Sequence, residues 1–187
     1  MSALHPVRDD TRTRILDTAL ELIAERGFAG TSTRELSERL GFTKAALYYH
    51  FRTKDDLLAE LIRPAQDDLA ALVGEATLRA SAAARRDLLT RYVDHVCAHL
   101  SLIQVLSQDP SVVHRPVLDT SRELYGRLTE LLAGQERPDT AQRAGVRATL
   151  GGIHAALLHA APGDDPSVVR EAALAAGCRA LGIPAPH

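Results

Sequence analysis

The sequence predicts an all-α protein, and three observations support this class. Residues that favour helices are abundant, whereas the alternation of β-branched and polar residues expected of strands is almost absent. With 45% hydrophobic residues, the 187-residue chain has the composition of a folded rather than a disordered protein. Aromatic residues make up only 4% and Trp is absent, so aliphatic side chains must form most of the core.

The first two helices are delimited by capping residues. Apolar residues recur at helical spacing from Ile15 to Ile23, and Gly27 suits the position just after a final helical turn. The second helix begins at Ser32, which with Glu35 forms a capping-box pattern in which each side chain bonds the other's free amide. It is expected to end at Gly41.

Two further helices follow at short intervals. Thr43 can cap a short third helix, and Thr53 repeats the capping pattern for a fourth. Pro64 lies inside the fourth helix, whose apolar period resumes at Leu69. Because this proline lacks the amide that would bond Glu60, a kink is expected there.

Prolines mark the boundaries of the later helices. The intervals between them predict helices near 82–107, 111–115, 117–133, 139–161 and 166–181. The chain is therefore expected to form about nine helices.

Residues 32–51 have the dimensions of a helix-turn-helix, with a capped helix, a glycine-containing turn and a short second helix. Such a helix enters the major groove only if its leading residues are small or carry donors and its rear packs on the preceding helices. Lys44, Ala45, Ala46 and Tyr48 are expected to face forward, with Leu47 and Phe51 packed behind. Tyr48, Tyr49 and His50 bring donors towards phosphate, and Thr33 and Arg34 can hold the backbone from the other side.

The positions that carry this pattern are Arg14-Ile15-Leu16, Gly27-Phe28, Thr31-Ser32-Thr33, Leu36, Leu40-Gly41-Phe42-Thr43, Leu47-Tyr48-Tyr49-His50-Phe51, Lys54 and Leu57-Leu58. In this order and without gaps, they resemble the DNA-binding domain of the TetR family over residues 8 to about 58. The resemblance implies a three-helix DNA-binding domain at 8–54 and a helical ligand-binding and dimerisation domain at 55–187. Ala45 departs from the glycine of many relatives, and alanine is compatible with a helix.

The resemblance also implies a role for each matching position. It implies base-edge contacts from Arg34, Lys44, Ala45 and Ala46, and phosphate contacts from Thr33, Thr43, Tyr48, Tyr49, His50 and Lys54. Each aromatic residue could alternatively be an ordinary residue of an amphipathic helix. The block as a whole favours DNA binding, because packing alone does not require lysines on the exposed side.

Charge is distributed unevenly along the chain. Residues 1–54 contain nine Lys or Arg against seven Asp or Glu, including both lysines of the chain, Lys44 and Lys54. The remainder has a net charge of −4, so that the whole chain carries −2. A basic segment on an acidic body fits a protein that contacts phosphate with one end only.

Small residues on two C-terminal helices indicate a helix–helix interface. Glycine costs about 1 kcal/mol relative to alanine within a helix, so several glycines in 139–161 require a reason such as close packing. A four-helix interface between two subunits supplies one, and packing within one subunit is the alternative. The expected dimer residues are Gly145, Ala148, Gly152, Ala155, Val168, Ala172 and Ala176.

One face of the predicted helix at 82–107 combines apolar and polar side chains, as a small-molecule cavity does. The expected pocket residues are Tyr92, His95, Val96, His99 and Ile103, with Tyr125 and His154 added from later helices. His95 and His99 have the spacing of a helical metal pair, but the sequence shows no accompanying ligand set, so no metal is expected. No cofactor is expected either.

The sequence favours a homodimeric repressor that a small-molecule effector releases from a palindromic DNA operator. A helical protein-interaction module and a small helical enzyme are the alternatives, although the chain has no GxSxG, HExxH, P-loop or dinucleotide-binding motif. An activator role is also open. The unpaired cysteines, Cys97 and Cys178, the lack of a leader at the first residues and the lack of a long apolar run predict a cytoplasmic protein that does not interact with membranes.

Overall fold

The computed structural model describes residues 6–78 and 80–184, with side chains from Thr11 onward. Within these ranges it contains no strand, one 3-10 turn at Pro116–Leu118 and ten α-helices. The helices are α1 (Pro6–Gly30), α2 (Thr33–Leu40), α3 (Lys44–His50), α4 (Lys54–Glu75), α5 (Ala82–Ala98), α6 (Leu100–Ser107), α7 (Pro110–Val113), α8 (Asp119–Ala133), α9 (Thr140–Leu158) and α10 (Pro166–Ala180). The predicted all-α class is confirmed.

The chain forms two compact units, here called unit 1 and unit 2. Unit 1 takes in residues 1–64 and 101–119, and unit 2 takes in residues 65–100 and 120–187, each as far as the structure describes them. This division differs from the boundary expected at residue 54. Unit 1 gains the first part of α4 and, from far along the chain, α6 beyond its first residue and α7.

The core of unit 1 lies where α1, α2 and α3 meet. Its central side chains are almost completely buried and aliphatic or aromatic: Ile15, Ala19, Leu22, Leu36, Leu47, Phe51 and Leu57. Because these residues recur at three- and four-residue steps along short helices, each helix presents one apolar face to the others. This packing fixes which side of α3 faces solvent.

The helix ends follow the predicted capping residues with one exception. Gly27 has φ 72° and ψ 163° at the end of the regular part of α1, and Gly41 has φ 67° and ψ 26° after α2, so both have the positive φ that glycine tolerates best. Ser32 Oγ accepts the Glu35 N–H at 3.1 Å, but the Glu35 carboxylate pairs with Arg26 instead of completing the box.

The fourth helix begins with a reciprocal cap. The Thr53 N–H donates to Asp56 Oδ2 at 2.9 Å, and the Asp56 N–H donates to Thr53 Oγ1 at 3.0 Å. Two orphan amides of the first turn are thereby satisfied. The helix runs without interruption through Pro64 to Glu75.

The prediction of one long helix at 82–107 is wrong. The structure divides it into α5 and α6 at His99, whose φ of −111° and ψ of 22° end α5. No proline or glycine marks this break, and the apolar residues continue through it, so periodicity gave no signal. As a consequence, Ile103 lies in unit 1 rather than beside the other expected pocket residues.

In unit 2, α10 packs against α9 and α5, and α5 packs against α9. Leu89, Tyr92 and Val93 of α5 are fully buried in this core, as are Leu128 and Leu132 of α8. Gly177 of α10 allows the close approach, because a Cβ there would lie 3.0 Å from Ile153 Cδ1 and 3.2 Å from Leu89 Cδ2. Among the described helices, none has both the length and the apolar character needed to cross a bilayer.

Candidate nucleic-acid interface

The rear of α3 is anchored in the core of unit 1. Leu47 is 1% exposed and Phe51, just past the helix end, is 4% exposed. The Phe51 N–H donates to the Leu47 carbonyl at 2.9 Å, which holds the end of the helix against the core. The sequence-based expectation for these two side chains is confirmed, and it leaves the opposite side of α3 facing solvent.

The leading residues of α3 form an exposed surface. Lys44, Ala45 and Ala46 are all exposed, and Tyr48 and Tyr49 are unusually exposed for large aromatic residues, at 41% and 70%. Lys44 Nζ lies 5.6 Å from the centroid of the Tyr48 ring. This end of α3 therefore presents an ammonium, two methyl groups and two phenol hydroxyls, which is chemistry suited to base edges and phosphates.

Thr33 and Thr43 lie at the N-termini of α2 and α3. Thr43 Oγ1 accepts the Ala46 N–H at 3.2 Å, so this hydroxyl caps α3 and can still donate its own proton outward. Thr33 is half-buried at the first position of α2, directly after its capping residue Ser32. Both residues lie at the N-terminus of a helix, a position that favours anions.

Arg34 lies on the exposed side of α2 and is paired within the chain. Its Nε donates to Glu38 Oε1 at 2.8 Å, and this hydrogen bond raises the pKa of the fully exposed guanidinium. Exposed pairs of this kind are weak and exchange readily with other anions. A phosphate or a base edge can therefore replace Glu38 as the partner of Arg34.

The ammonium of Lys54 is hydrogen-bonded within unit 1. Its Nζ donates to the Thr31 carbonyl at 2.7 Å and lies 4.3 Å from the centroid of the Phe28 ring. Burial and the neighbouring positive charge of Arg115 lower the pKa of Lys54. Its ammonium thus fixes the turn between α1 and α2. His50, at the end of α3, is half-buried and lies beside Tyr49, with ring centroids 5.4 Å apart.

Sequence reasoning missed a polar network that joins α7 to the end of α1. The Phe28 N–H donates to the buried Asp109 carboxylate, which also accepts the Ser111 N–H at 2.9 Å. Arg115 lies over the Phe28 ring at 4.5 Å and bonds Asp55 at 2.6 Å. The Asp-Pro pair at 109–110 is a recognisable helix start, but nothing local indicates its distant partner.

Known proteins share both the motif and the architecture. The family model described as bacterial regulatory proteins, tetR family, matches residues 15–61. The HTH-type transcriptional repressor KstR2 of Rhodococcus jostii is 39% identical over 70 residues, which cover 34% of this chain and 34% of that protein's length. The HTH-type transcriptional repressor Rv1474c of Mycobacterium tuberculosis is 29% identical over 165 residues, 83% of this chain and 84% of that one.

A solved structure extends the likeness to both units. SCO3833 of Streptomyces coelicolor, a member of the TetR transcriptional regulator family, is 26% identical, with a TM-score of 0.69 and coverage of 92% of this chain and 91% of its own. Residues 15–61 are identified as a TetR-family DNA-binding domain, and both units together have the fold of a TetR-family regulator. Members of the TetR family are DNA-binding transcription factors and not enzymes, so the enzyme alternative is excluded.

Unit 2, the helical unit that follows the TetR-family DNA-binding motif, has a cleft with a volume of about 360 Å³. It brings together three of the expected pocket residues, Tyr92, Tyr125 and His154. The Tyr92 hydroxyl and His154 Nε2 share a hydrogen bond of 2.6 Å, and the Tyr125 ring stands edge-on to both rings at 6.2 Å. Burial lowers the pKa of His154 and raises the pKa of Tyr92 and of Tyr125.

The other expected pocket residues lie elsewhere. Val96 is fully buried in the core of unit 2. His95 is buried beside Tyr92, with ring centroids 6.3 Å apart, and His99 bonds Asp68 at 2.8 Å. Ile103 is on α6, beyond the break at His99. The cleft instead includes Arg122 and Arg147, which sequence reasoning did not select.

The small residues predicted for the dimer interface on α9 and α10 face solvent. All seven residues predicted for the dimer interface are exposed, and six of them line an apolar groove of about 810 Å³; Ala155 is the one outside it. A Cβ added at Gly145 or Gly152 would lie more than 4 Å from every described atom outside the neighbouring backbone of its own helix. Packing within this chain therefore does not explain these two glycines.

Proposed function

We propose that this TetR-family protein is a homodimeric transcriptional repressor that binds a palindromic DNA operator and is released by a small-molecule effector. The observation that carries the proposal is the anchoring of α3 through Leu47 and Phe51, with Lys44 to Ala46 and both tyrosines on the opposite, exposed side. A protein that only packed this helix internally would have no use for such a surface. We further propose that it acts in the cytoplasm, where its DNA would lie.

In this proposal Arg34, Lys44, Ala45 and Ala46 contact base edges. Phosphates are contacted by Thr33, Thr43, Tyr48, Tyr49 and His50. Lys54 contributes indirectly, because its ammonium is bonded to the Thr31 carbonyl and holds the turn that precedes α2. Discrimination between bases would then rest on a small set of groups, with each good bidentate contact worth about 1–3 kcal/mol.

A dimer through the groove of α9 and α10 supports this mode of binding. Val168 is 61% exposed, and its neighbours Ala172 and Ala176 continue the apolar surface along α10. Pairing two such surfaces across a two-fold axis would remove apolar area from water and bring small residues into close contact. Two recognition helices can then read half-sites about 34–36 Å apart on one face of DNA.

The effector is proposed to occupy the cleft of Tyr92, Tyr125 and His154. Arg122 and Arg147, which also line the cleft, would favour a ligand with an anionic or strongly accepting group, and the rings would favour an apolar body. An effector acts only if it binds the DNA-free conformation more tightly than the DNA-bound one. Release of DNA by such a ligand is therefore measurable as reciprocal loss of ligand affinity in the presence of operator.

The deciding experiment is selection of genomic fragments by the purified full chain, followed by fluorescence anisotropy of selected duplexes over a range of salt concentrations. Specific binding to a palindrome, with affinity that falls steeply as salt increases, is expected. Binding that is independent of salt and sequence, or no binding, would favour the protein-interaction alternative. A promoter fusion then distinguishes repression from activation.

Lys44→Ala is the informative variant, and Arg137→Ala is its control. Lys44 is exposed at the start of α3, whereas Arg137 is an exposed cation in the loop before α9. Loss of Lys44 should weaken operator binding about tenfold or more and reduce the preference for the operator over unrelated DNA. Arg137→Ala should leave both unchanged; equal effects of the two variants would contradict the assignment of α3.

A further inference from the structure

Three potential metal ligands meet in unit 2 outside the cleft. Asp68 lies on α4, His95 lies in the last turn of α5, and His99 is the residue at which α5 ends. One ligand atom of each lies within 4.8 Å of those of the other two. The spacing of the two histidines was evident from the sequence, but the carboxylate could not be predicted because it is contributed by a different helix.

The surroundings of His95 set this cluster apart from an ordinary surface ion pair. The residue is 9% exposed, and its Nδ1 is buried without a hydrogen-bond partner among the residues that the structure describes. Leaving such an atom unpaired costs about 1–3 kcal/mol.

The other two ligands already converge and leave a route from solvent. His99 Nε2 and Asp68 Oδ2 are 2.8 Å apart, and the rings of His95 and His99 have centroids 5.0 Å apart. The Asp68 side chain is 64% exposed, whereas that of His99 is 15% exposed. An ion can therefore approach from the side of Asp68, and water can complete its coordination.

We propose that Asp68, His95 and His99 form a binding site for one divalent transition-metal ion. Ligand atoms of a tetrahedral zinc site lie about 3.4 Å apart, given bonds of about 2.0–2.1 Å, so small side-chain rotations suffice to close the cluster. Two imidazoles and one carboxylate favour Zn²⁺ and its neighbours over Mg²⁺ and Ca²⁺, which prefer oxygen ligands. Metal binding at this site does not depend on the proposed repressor function.

The test is titration of the untagged, metal-free full chain with Zn²⁺ in competition with a chromophoric chelator. Saturation at one ion per chain is expected, with no displacement by a large excess of Mg²⁺. Substitution with Co²⁺ should give the visible absorption bands of a low-symmetry, nitrogen- and oxygen-ligated ion. Zn²⁺ should also raise the melting temperature, because a ligand that binds only the folded state stabilises it by mass action.

Matched variants separate the site from incidental binding. Asp68→Asn and His99→Ala should each weaken Zn²⁺ binding by about tenfold or more. The controls are Asp67→Asn, at the exposed residue that precedes Asp68, and His159→Ala, at an exposed histidine after α9. Both should leave Zn²⁺ binding unchanged. Absence of saturable binding by the folded wild-type chain would overturn the proposal, as would equal binding by all four variants when circular dichroism shows them folded.

Discussion

At the scale of single residues, the two lysines have different environments although both lie in the basic N-terminal segment. Lys44 is exposed at the start of α3, and Lys54 donates to the Thr31 carbonyl beneath the Phe28 ring. The resemblance to the TetR family implied DNA contacts for both. We propose instead that Lys44 contacts DNA and that Lys54 stabilises the conformation of unit 1.

Lys54→Ala is therefore expected to destabilise the protein by about 1 kcal/mol, because a charged hydrogen bond and a cation–π contact are lost. Lys44→Ala should change the free energy of unfolding by less than about 0.5 kcal/mol, as exposed substitutions usually do. Urea unfolding monitored by circular dichroism measures both. If Lys44→Ala proved the more destabilising of the two, the assigned roles would be reversed.

His154 makes stability depend on pH in a definite direction. Burial lowers its pKa below the usual 6.5, and the groups around it are Tyr92, Tyr125, Arg122 and Arg147. The unfolded chain therefore takes up the proton first as pH falls through about 6.5. Proton binding to the unfolded state draws the equilibrium away from the folded one, so this contribution to stability is present above pH 6.5 and declines below it.

His154→Gln should reduce this dependence, because the glutamine carbonyl can accept the Tyr92 hydroxyl proton without titrating. The free energy of unfolding of the wild type should fall between pH 7.5 and pH 5.5, and that of the variant should fall less. Urea unfolding in buffers that contain EDTA measures the difference without interference from metal ions. Identical slopes for the two proteins would assign the pH dependence to other groups.

At the scale of helices, local signals were sufficient wherever a cap or an apolar face decides the structure. The ends of α2 and α3 follow from Ser32, Gly41 and Thr43, whose effects reach only three or four residues. The break at His99 was not predictable, because the apolar period continues across it. The Asp109 contact to Phe28 was equally hidden, since its two partners are 81 residues apart.

The short range of these local signals also explains how well each site was predicted. The surface of α3 follows from one short segment, and its buried and exposed sides were both correct for Leu47, Phe51 and the leading residues. The cleft is lined by residues of α5, α8 and α9, and of the seven expected pocket residues only Tyr92, Tyr125 and His154 line it. Asp68 could not be paired with His99 before the packing of α4 on α5 was known.

Gly41 tests whether the turn between α2 and α3 depends on backbone conformation alone. Its φ of 67° is strained for any residue with a Cβ, although a Cβ there would meet no atom within 4 Å. Gly41→Ala should therefore destabilise the protein by about 1 kcal/mol. Gly126→Ala, within α8 and equally free of contacts, should stabilise it by up to about 1 kcal/mol. Thermal unfolding should give shifts of opposite sign; shifts of the same sign would contradict this explanation.

At the scale of the whole molecule, the two units present different surfaces. Unit 1 exposes a short cationic and aromatic helix end, whereas unit 2 exposes a groove of small apolar residues along α9 and α10. A groove of this kind in contact with water is unfavourable unless another surface covers it. A second copy of the same chain is the proposed occupant, since pairing also supplies the two recognition helices that a palindrome requires.

Ala148→Glu tests this assembly, with Ala144→Glu as its control. Both alanines are exposed on α9, but only Ala148 lines the groove. A carboxylate at position 148 would be buried without a partner in the dimer, so this variant should be largely monomeric at micromolar concentration, whereas Ala144→Glu should remain dimeric. Sedimentation equilibrium measures the association, and circular dichroism verifies that both variants are folded.

The monomeric variant should also lose at least about tenfold in affinity for a full palindrome while binding an isolated half-site as weakly as the wild type. A dimeric Ala148→Glu protein with unchanged operator affinity would place the interface elsewhere.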